Sequence, residues 1–156
     1  CQAAGASSIL VTDIEQHPLR MAKKLGASEI INMSEDAAAL ENFHDNNGYF
    51  EVMFECSGSE QALLSAIRAI KPGGVVVQIG MTGNTTTPTQ FVTTKEIDFK
   101  GSFRFHDEFS LAIETIKSGK IDVKPLISDS IHFLEADKAF SLANDKRKSV
   151  KIQLLF

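Results

Sequence analysis

The chain has no tryptophan, one tyrosine, two cysteines and four prolines among its 156 residues. Two cysteines, Cys1 and Cys56, cannot build a disulfide framework, and neither has a partner at metal-ligand spacing. His17, His44, His106 and His132 are scattered, so each reads as a surface or loop residue and no metal is assigned to the chain. No apolar run approaches the roughly 18 residues that a spanning helix needs, and no signal-peptide pattern opens the sequence. Basic charge is not in excess either. With 16 Lys and Arg against 20 Asp and Glu, the formal charge is -4, which argues against a nucleic-acid partner. No Gly-x-Ser-x-Gly elbow is present, so a serine hydrolase is unsupported. What is left is a globular domain, expected in a reducing cytoplasm. A hydrophobic content of 43% and a charged content of 23% are ordinary for one.

The elements that are present alternate. "SSILVTD" (7–13) is a continuous apolar strand of the kind buried on both faces of a parallel sheet. Pro18 suits a first helical turn, "LRMAKKLGA" continues the helix, and Gly26 is placed to end it. "SEIINM" (28–33) is a second strand. Ser34 is a plausible cap for a helix over 35–45 that ends in the turn-forming "DNNG". "YFEVMFECSG" (49–58) is a third strand and "SEQALLSAIRAI" (59–70) an amphipathic helix. "KPGG" reads as a turn before a fourth strand, "VVVQIG" (75–80). Beyond it, "MTGNTTTPTQ" is a loop, 91–103 is extended, 107–119 is helical, "HFLEADKAFSLANDKR" is turn plus helix, and "SVKIQLLF" (149–156) is a closing strand. Strands and helices in this order predict an α/β, doubly wound, mostly parallel sheet flanked by helices, as one domain over 1–156.

Candidate chemistry gathers at strand ends. Asp13 follows an apolar strand, where a carboxylate can accept both hydroxyls of a ribose diol; capping the next turn is an equal alternative. "ECSG" and "QIGMTG" each open from a strand into small residues, where Gly58 and Gly80 let backbone approach a ligand or merely turn the chain. Arg104 stands between Phe103 and Phe105. By itself it reads as a surface cation beside aromatic rings.

In combination, "VTDIEQHPLRMAKKLGASEIIN", "FEVMFECSGSEQALLSAIRAIKPGGVVVQIGM", "KEIDFKGSFRF" and "SVKIQLLF" resemble the cofactor-binding half of zinc-dependent medium-chain dehydrogenases. Within that family the similarity is to the polyol and sugar-acid branch, the sorbitol and L-idonate dehydrogenases. The resemblance covers essentially the whole chain and implies an NAD-dependent oxidoreductase. It implies that Asp13 holds the adenosine ribose and that Arg20 lies beside the adenine end. Cys56, Ser57 and Gly58 would line the adenine-side wall, and Ile79, Gly80 and Met81 would pass under the nicotinamide. The backbone of Ser102, Phe103 and Arg104 would bond the carboxamide, Arg104 and Phe105 would face the substrate, and Lys151 would lie near the pyrophosphate. It further implies a homo-oligomer through the 91–103 strand, and packing of 145–156 toward a catalytic domain that carries the zinc.

No Gly-x-Gly-x-x-Gly occurs in the 156 residues. The resemblance therefore places the first strand and phosphate loop before Cys1, and "CQAAGAS" at the end of the following helix. The segments at 8–13 and 50–55, which would flank that central strand, are expected to pair with one another, to take a strand from another chain between them, or to belong to a larger molecule that supplies it. The 156 residues alone are expected to bind NAD weakly and to be inactive. An S-adenosylmethionine methyltransferase shares the alternating sheet, the acid after a strand and an "IKPGG" turn, and stands as the alternative. So does a non-catalytic nucleotide-binding or oligomerisation module.

Overall fold

A computed structural model of the chain describes residues 1–81, 83–84 and 86–156; Thr82 and Thr85, inside the predicted 81–90 loop, lie outside the described residues. The chain divides into two compact units, one of residues 1–37 with 106–156 and the other of residues 38–105. Every strand ladder in both is parallel. That is the geometry βα repeats dictate, because a parallel pair needs a crossover between its strands.

In the first unit β1 (Leu10–Asp13) pairs with β2 (Glu29–Asn32) in unbroken register, from Leu10 opposite Glu29 to Asp13 opposite Asn32. The crossover is α1 (Gln16–Lys24), anchored by the fully buried Leu19. Gly26 follows at φ +101°, a conformation that a side chain would strain, so the helix stops where expected. β1 is half-buried rather than enclosed on both faces. Among the described residues it has a ladder with β2 and none with any other strand.

Ser34 does not cap a helix. Its N–H donates to Asn32 Oδ1 at 3.0 Å, and its hydroxyl donates to the Ile14 carbonyl at 3.0 Å, joining the loops after the two strands. The predicted helix over 35–45 is replaced by 3₁₀ turns at Ala37–Phe43 and Asp45–Asn47. Its apolar groups are too few and too local to hold an α-helix: Leu40 is buried, and Phe43 packs on Tyr49 and Phe50 at centroid distances of 5.3 and 5.1 Å. Asn46 and Asn47 then take left-handed φ of 53° and 68°, as the "DNNG" signal predicts.

The second unit is the sheet β3 (Phe50–Glu55), β4 (Ile70–Gln78), β5 (Asp98–Gly101), in that order. α2 (Glu60–Ala66) joins the first two strands, with Ser59 Oγ accepting the Ala62 N–H at 3.3 Å, and its last turn tightens to 3₁₀ over Ile67–Ala69. "KPGG" lies inside β4 as a bulge, since pairing jumps from Phe50–Ile70 to Val52–Val75. Leu63, Ile67, Ile70, Val76 and Ile97 form the core, with Phe91, Val92 and Phe99 against it. Lys95 is buried there. Its ammonium donates to the carbonyls of Arg68 at 2.7 Å and Ile70 at 2.8 Å, while burial and the nearby Arg68 charge lower its pKa.

The extended reading of 91–103 is correct for β5 and wrong before it: Thr89–Thr94 is a short helix, α3. "FVTT" is β-branched and aromatic, the composition of a strand. Packing Phe91 and Val92 together onto one core requires helical turning, and the core decides. After 106 come α4 (Glu108–Lys117), β6 (Ile127–His132), α5 (Ala136–Asn144) and β7 (Lys151–Leu155). β6 has no counterpart in the sequence reading, because "ISDSIH" carries only two apolar residues; β7 pairs with it from Ile127–Lys151 to His132–Leu155. The strand pairs at 10–13 with 29–32 and at 50–55 with 70–78 share no ladder among the described residues, so direct pairing of 8–13 with 50–55 is not found.

The second unit's core sets a prediction. Ile67 is 0% exposed. Ile67→Ala is expected to lower unfolding free energy by about 2–5 kcal/mol, measured by urea titration. A loss under about 1 kcal/mol would show that Ile67 is not central to the core.

Candidate functional site

Three strand ends of the second unit are tied together around one buried acid. Glu55, the last residue of β3, is 3% exposed. A carboxylate is tolerated at such depth only when hydrogen-bonded. Here the Ser57 N–H donates to Oε1 at 2.8 Å and the Ser57 hydroxyl to the same oxygen, while the Gly58 N–H donates to Oε2 at 2.9 Å. From β4, Gln78 Nε2 donates to Oε2 at 2.5 Å and also to the Gly80 carbonyl at 2.8 Å. Burial pushes the Glu55 pKa up, but the donors from Ser57, Gly58 and Gln78 outweigh it and hold the group below its ordinary value of 4.5. The stabilisation from these bonds is therefore complete above the unfolded-state pKa and is lost as pH falls through the lower folded value.

Backbone closes the same junction. The Glu55 carbonyl accepts the N–H groups of Ile79 at 2.8 Å and Gly80 at 2.9 Å, and the Gln78 carbonyl accepts Ser102 N–H at 2.9 Å. A Cβ on Gly80 would stand 2.1 Å from the Gly58 nitrogen, and one on Gly58, at φ +71°, would stand 2.9 Å from the Met81 carbonyl carbon. The two glycines let the loops after β3 and β4 pass in backbone contact. A cavity of about 220 Å³ opens beside them, lined in part by Gly58, Leu63, Gln78, Gly80 and Phe99. Gln78 Oε1 is buried with no hydrogen-bond partner among the described residues, an arrangement that costs about 1–3 kcal/mol. Since both contacts of Nε2 are acceptors, turning the amide over would not relieve it.

The structure brings together Cys56, Ser57, Gly58, Ile79, Gly80, Met81 and Ser102 at this junction. Ile79 and Met81 are exposed by 43% and 72%, presenting apolar surface beside the glycines. Phe103, Arg104 and Phe105 follow directly on β5 in the same unit, all exposed. Arg104 has a φ of 59°, strained for a non-glycine residue, and its guanidinium lies 4.9 Å from the Phe103 ring centroid. Desolvation, and then the Glu55 charge, raise the Cys56 thiol pKa, so this sulfur is a poor nucleophile at neutral pH.

Asp13, Arg20 and Lys151 belong to the other unit. Asp13 does cap its own turn, Oδ1 accepting the Glu15 N–H at 2.9 Å. That uses one oxygen and orients the carboxylate at the end of β1, so capping and ligand binding are compatible. Arg20 and Lys151 are exposed, on α1 and at the start of β7. No group of three or more His, Cys, Asp or Glu that could hold a metal occurs among the described residues, so these residues do not fit a zinc site.

Sequence reasoning missed Glu55 and Gln78 as site residues. The signal was a polar residue closing each of two apolar strands, "VMFE" and "VVVQ". The junction predicts that Gly80→Ala costs about 1–3 kcal/mol of stability by overpacking. Gly101→Ala meets open space and leaves the melting temperature nearly unchanged. Equal melting temperatures for the two variants would refute the close approach.

The zinc-binding dehydrogenase family matches over residues 1–118. The chain is 33% identical over 153 residues to L-idonate 5-dehydrogenase (NAD(P)(+)) of Escherichia coli, covering 97% of this chain and 44% of that protein. It is 31% identical over 161 residues to a sorbitol dehydrogenase of Arabidopsis thaliana, covering 99% of this chain and 44% of that protein. The crystal structure of the Escherichia coli L-idonate 5-dehydrogenase superimposes with a TM-score of 0.92 over 99% of this chain and 44% of that chain. The chain thus spans less than half the length of the relatives it matches. The methyltransferase alternative falls with these matches, and the chain belongs to the zinc-binding dehydrogenase family.

Proposed function

We propose that the chain is the NAD-binding domain of a dehydrogenase that oxidises a polyol or sugar acid of the L-idonate and sorbitol class. The observation that carries this reading is the junction at Glu55–Gly58 and Gln78–Met81. There, parallel strands end in glycines that expose backbone at their carboxyl ends, where ligands of open α/β sheets bind. Bound NAD supplies the hydride acceptor. The chain's own residues hold and orient it. Asp13 accepts the adenosine ribose hydroxyls through the oxygen its turn leaves over, and Arg20 flanks the adenine end. Cys56, Ser57 and Gly58 form the adenine-side wall, and Ile79, Gly80 and Met81 form the platform for the nicotinamide ring. Because the Ser102 N–H is engaged by Gln78, donors to the carboxamide oxygen from this stretch fall to the N–H groups of Phe103 and Arg104, while the Ser102 carbonyl is left as an acceptor for its amide. The Arg104 guanidinium, held over Phe103, and the Phe105 ring face the substrate; Lys151 approaches the pyrophosphate.

Zinc chemistry is not assigned to these residues, since no ligand group of three or more occurs among the described residues; the catalytic zinc is proposed for a further domain, toward which 145–156 would pack. β5 has a ladder with β4 on one side and none on the other among the described residues. That open edge supports a homo-oligomer built by strand pairing. The two free cysteines suit a reducing, cytoplasmic setting.

The full-length protein is expected to reduce NAD with L-idonate or sorbitol; failure with every polyol and sugar acid tried would refute the reading. Asp13→Gly is expected to move the NAD-over-NADP preference tenfold or more toward NADP, about 1.4 kcal/mol, because the carboxylate repels a 2′-phosphate. An unchanged ratio of the two kcat/KM values would remove Asp13 from the ribose site.

A further inference from the structure

We infer that Glu55 and Gln78 are positioning residues that set the height of the nicotinamide platform, an inference that rests on the dehydrogenase reading above. Neither side chain is assigned to the cofactor. Both act through backbone that is.

The geometry is that of a clasp. The Glu55 carboxylate draws in the N–H groups of Ser57 and Gly58, which bends the chain after β3 into a tight turn. The same carboxylate accepts Gln78 Nε2, and that nitrogen also donates to the Gly80 carbonyl at 2.8 Å. A single amide nitrogen therefore connects the acid at the end of β3 to the main chain just after β4. Through its backbone, Gln78 also receives Ser102 from the end of β5. Of the three segments proposed to meet the cofactor, 56–58 and 79–81 are linked by the two side chains and by the Glu55 carbonyl, and 102–104 joins them through the Gln78 carbonyl.

Two features separate this from ordinary core filling. The first is that an apolar pair of similar size would fill the space without placing an ionised acid and an unpartnered amide oxygen in the interior. The second is tolerance. A Cβ on Gly80 would lie 2.1 Å from the Gly58 nitrogen and 2.8 Å from Glu55 Oε2, so the loops are in contact and any loosening of the clasp shifts the exposed backbone directly. A platform displaced by a fraction of an ångström meets the ring less well, and positional errors of that size are costly in binding and catalytic sites.

Gln78→Met is the discriminating variant. It keeps the length and volume of the side chain, removes the donor to Glu55 and Gly80, and abolishes the unpartnered oxygen. A merely structural role predicts altered stability with NADH affinity unchanged. Positioning predicts a melting temperature close to that of the unaltered protein with an NADH dissociation constant raised about tenfold. Glu55→Gln, whose amide would set a donor either against Gln78 Nε2 or against the N–H groups of Ser57 and Gly58, is expected to raise the constant at least as far. Ile67→Val serves as control, lowering stability in the same unit without changing affinity. The measurement is NADH fluorescence titration of the full-length protein at a temperature where circular dichroism shows each variant folded. If Glu55→Gln does not fold, Gln78→Met decides alone. NADH binding by the unaltered protein with Gln78→Met inside twofold of it would overturn the positioning role and leave the dehydrogenase reading standing. An unaltered protein that binds no NADH would overturn both.

Discussion

A buried carboxylate is expensive unless every accepting lone pair finds a donor, and Glu55 meets that requirement by recruiting its surroundings. Its donors are two backbone N–H groups and one hydroxyl from its own following turn, and one amide from the neighbouring strand. Once those donors converge, the chain after β3 turns tightly and comes up against the chain after β4. Glycine at 58 and 80 is then a steric necessity rather than a matter of flexibility. The backbone left facing outward at this edge is what a flat ligand can lie against. The turn after β3, its close approach to the chain after β4 and the two glycines follow from satisfying one charge.

The first unit solves a simpler problem. β1 and β2 are four residues each and pair with one another. Their loops are fastened by short polar side chains: Asp13 to Glu15, Asn32 to Ser34, Ser34 to Ile14. Asx turns of this sort need no deep burial, which leaves Asp13 half-exposed and able to accept further hydrogen bonds. The two units thus hold their proposed ligand contacts differently. One presents an acid from a self-capped turn; the other presents bare backbone from a clasped junction.

Much of the fold was legible because its signals are local. The parallel strands at 10–13, 29–32 and 50–55 and the 75–78 part of β4 are short apolar runs, and "DNNG" and Gly26 mark turns by chemistry that acts within a few residues; that β4 begins at Ile70, ahead of "KPGG", was not legible. Errors came where local preference and tertiary demand disagree. "FVTT" has the composition of a strand, yet Phe91 and Val92 meet the core by winding. "ISDSIH" has almost no apolar pattern, and it is a strand because β7 lies alongside it. Behind a plausible Ser34 cap, 35–45 reads as a helix, but with Leu40 as its sole buried residue the stretch 37–43 settles for 3₁₀ turns.

The candidate site divides in the same way. Asp13, Gly58 and Gly80 could be read from the chain, since an acid or a glycine at a strand end has a meaning wherever the strand goes. Glu55 and Gln78 are 23 positions apart, and nothing in one reports on the other. The class of fold, the alternation of strand and helix through the first four strands and the character of the strand ends were determined by the sequence itself, through propensities and periods that need no partner. Which polar groups share a proton, which glycines touch and which residue winds or extends were decided by tertiary structure alone. Those are properties of pairs, and a pair exists only after the chain has brought it together.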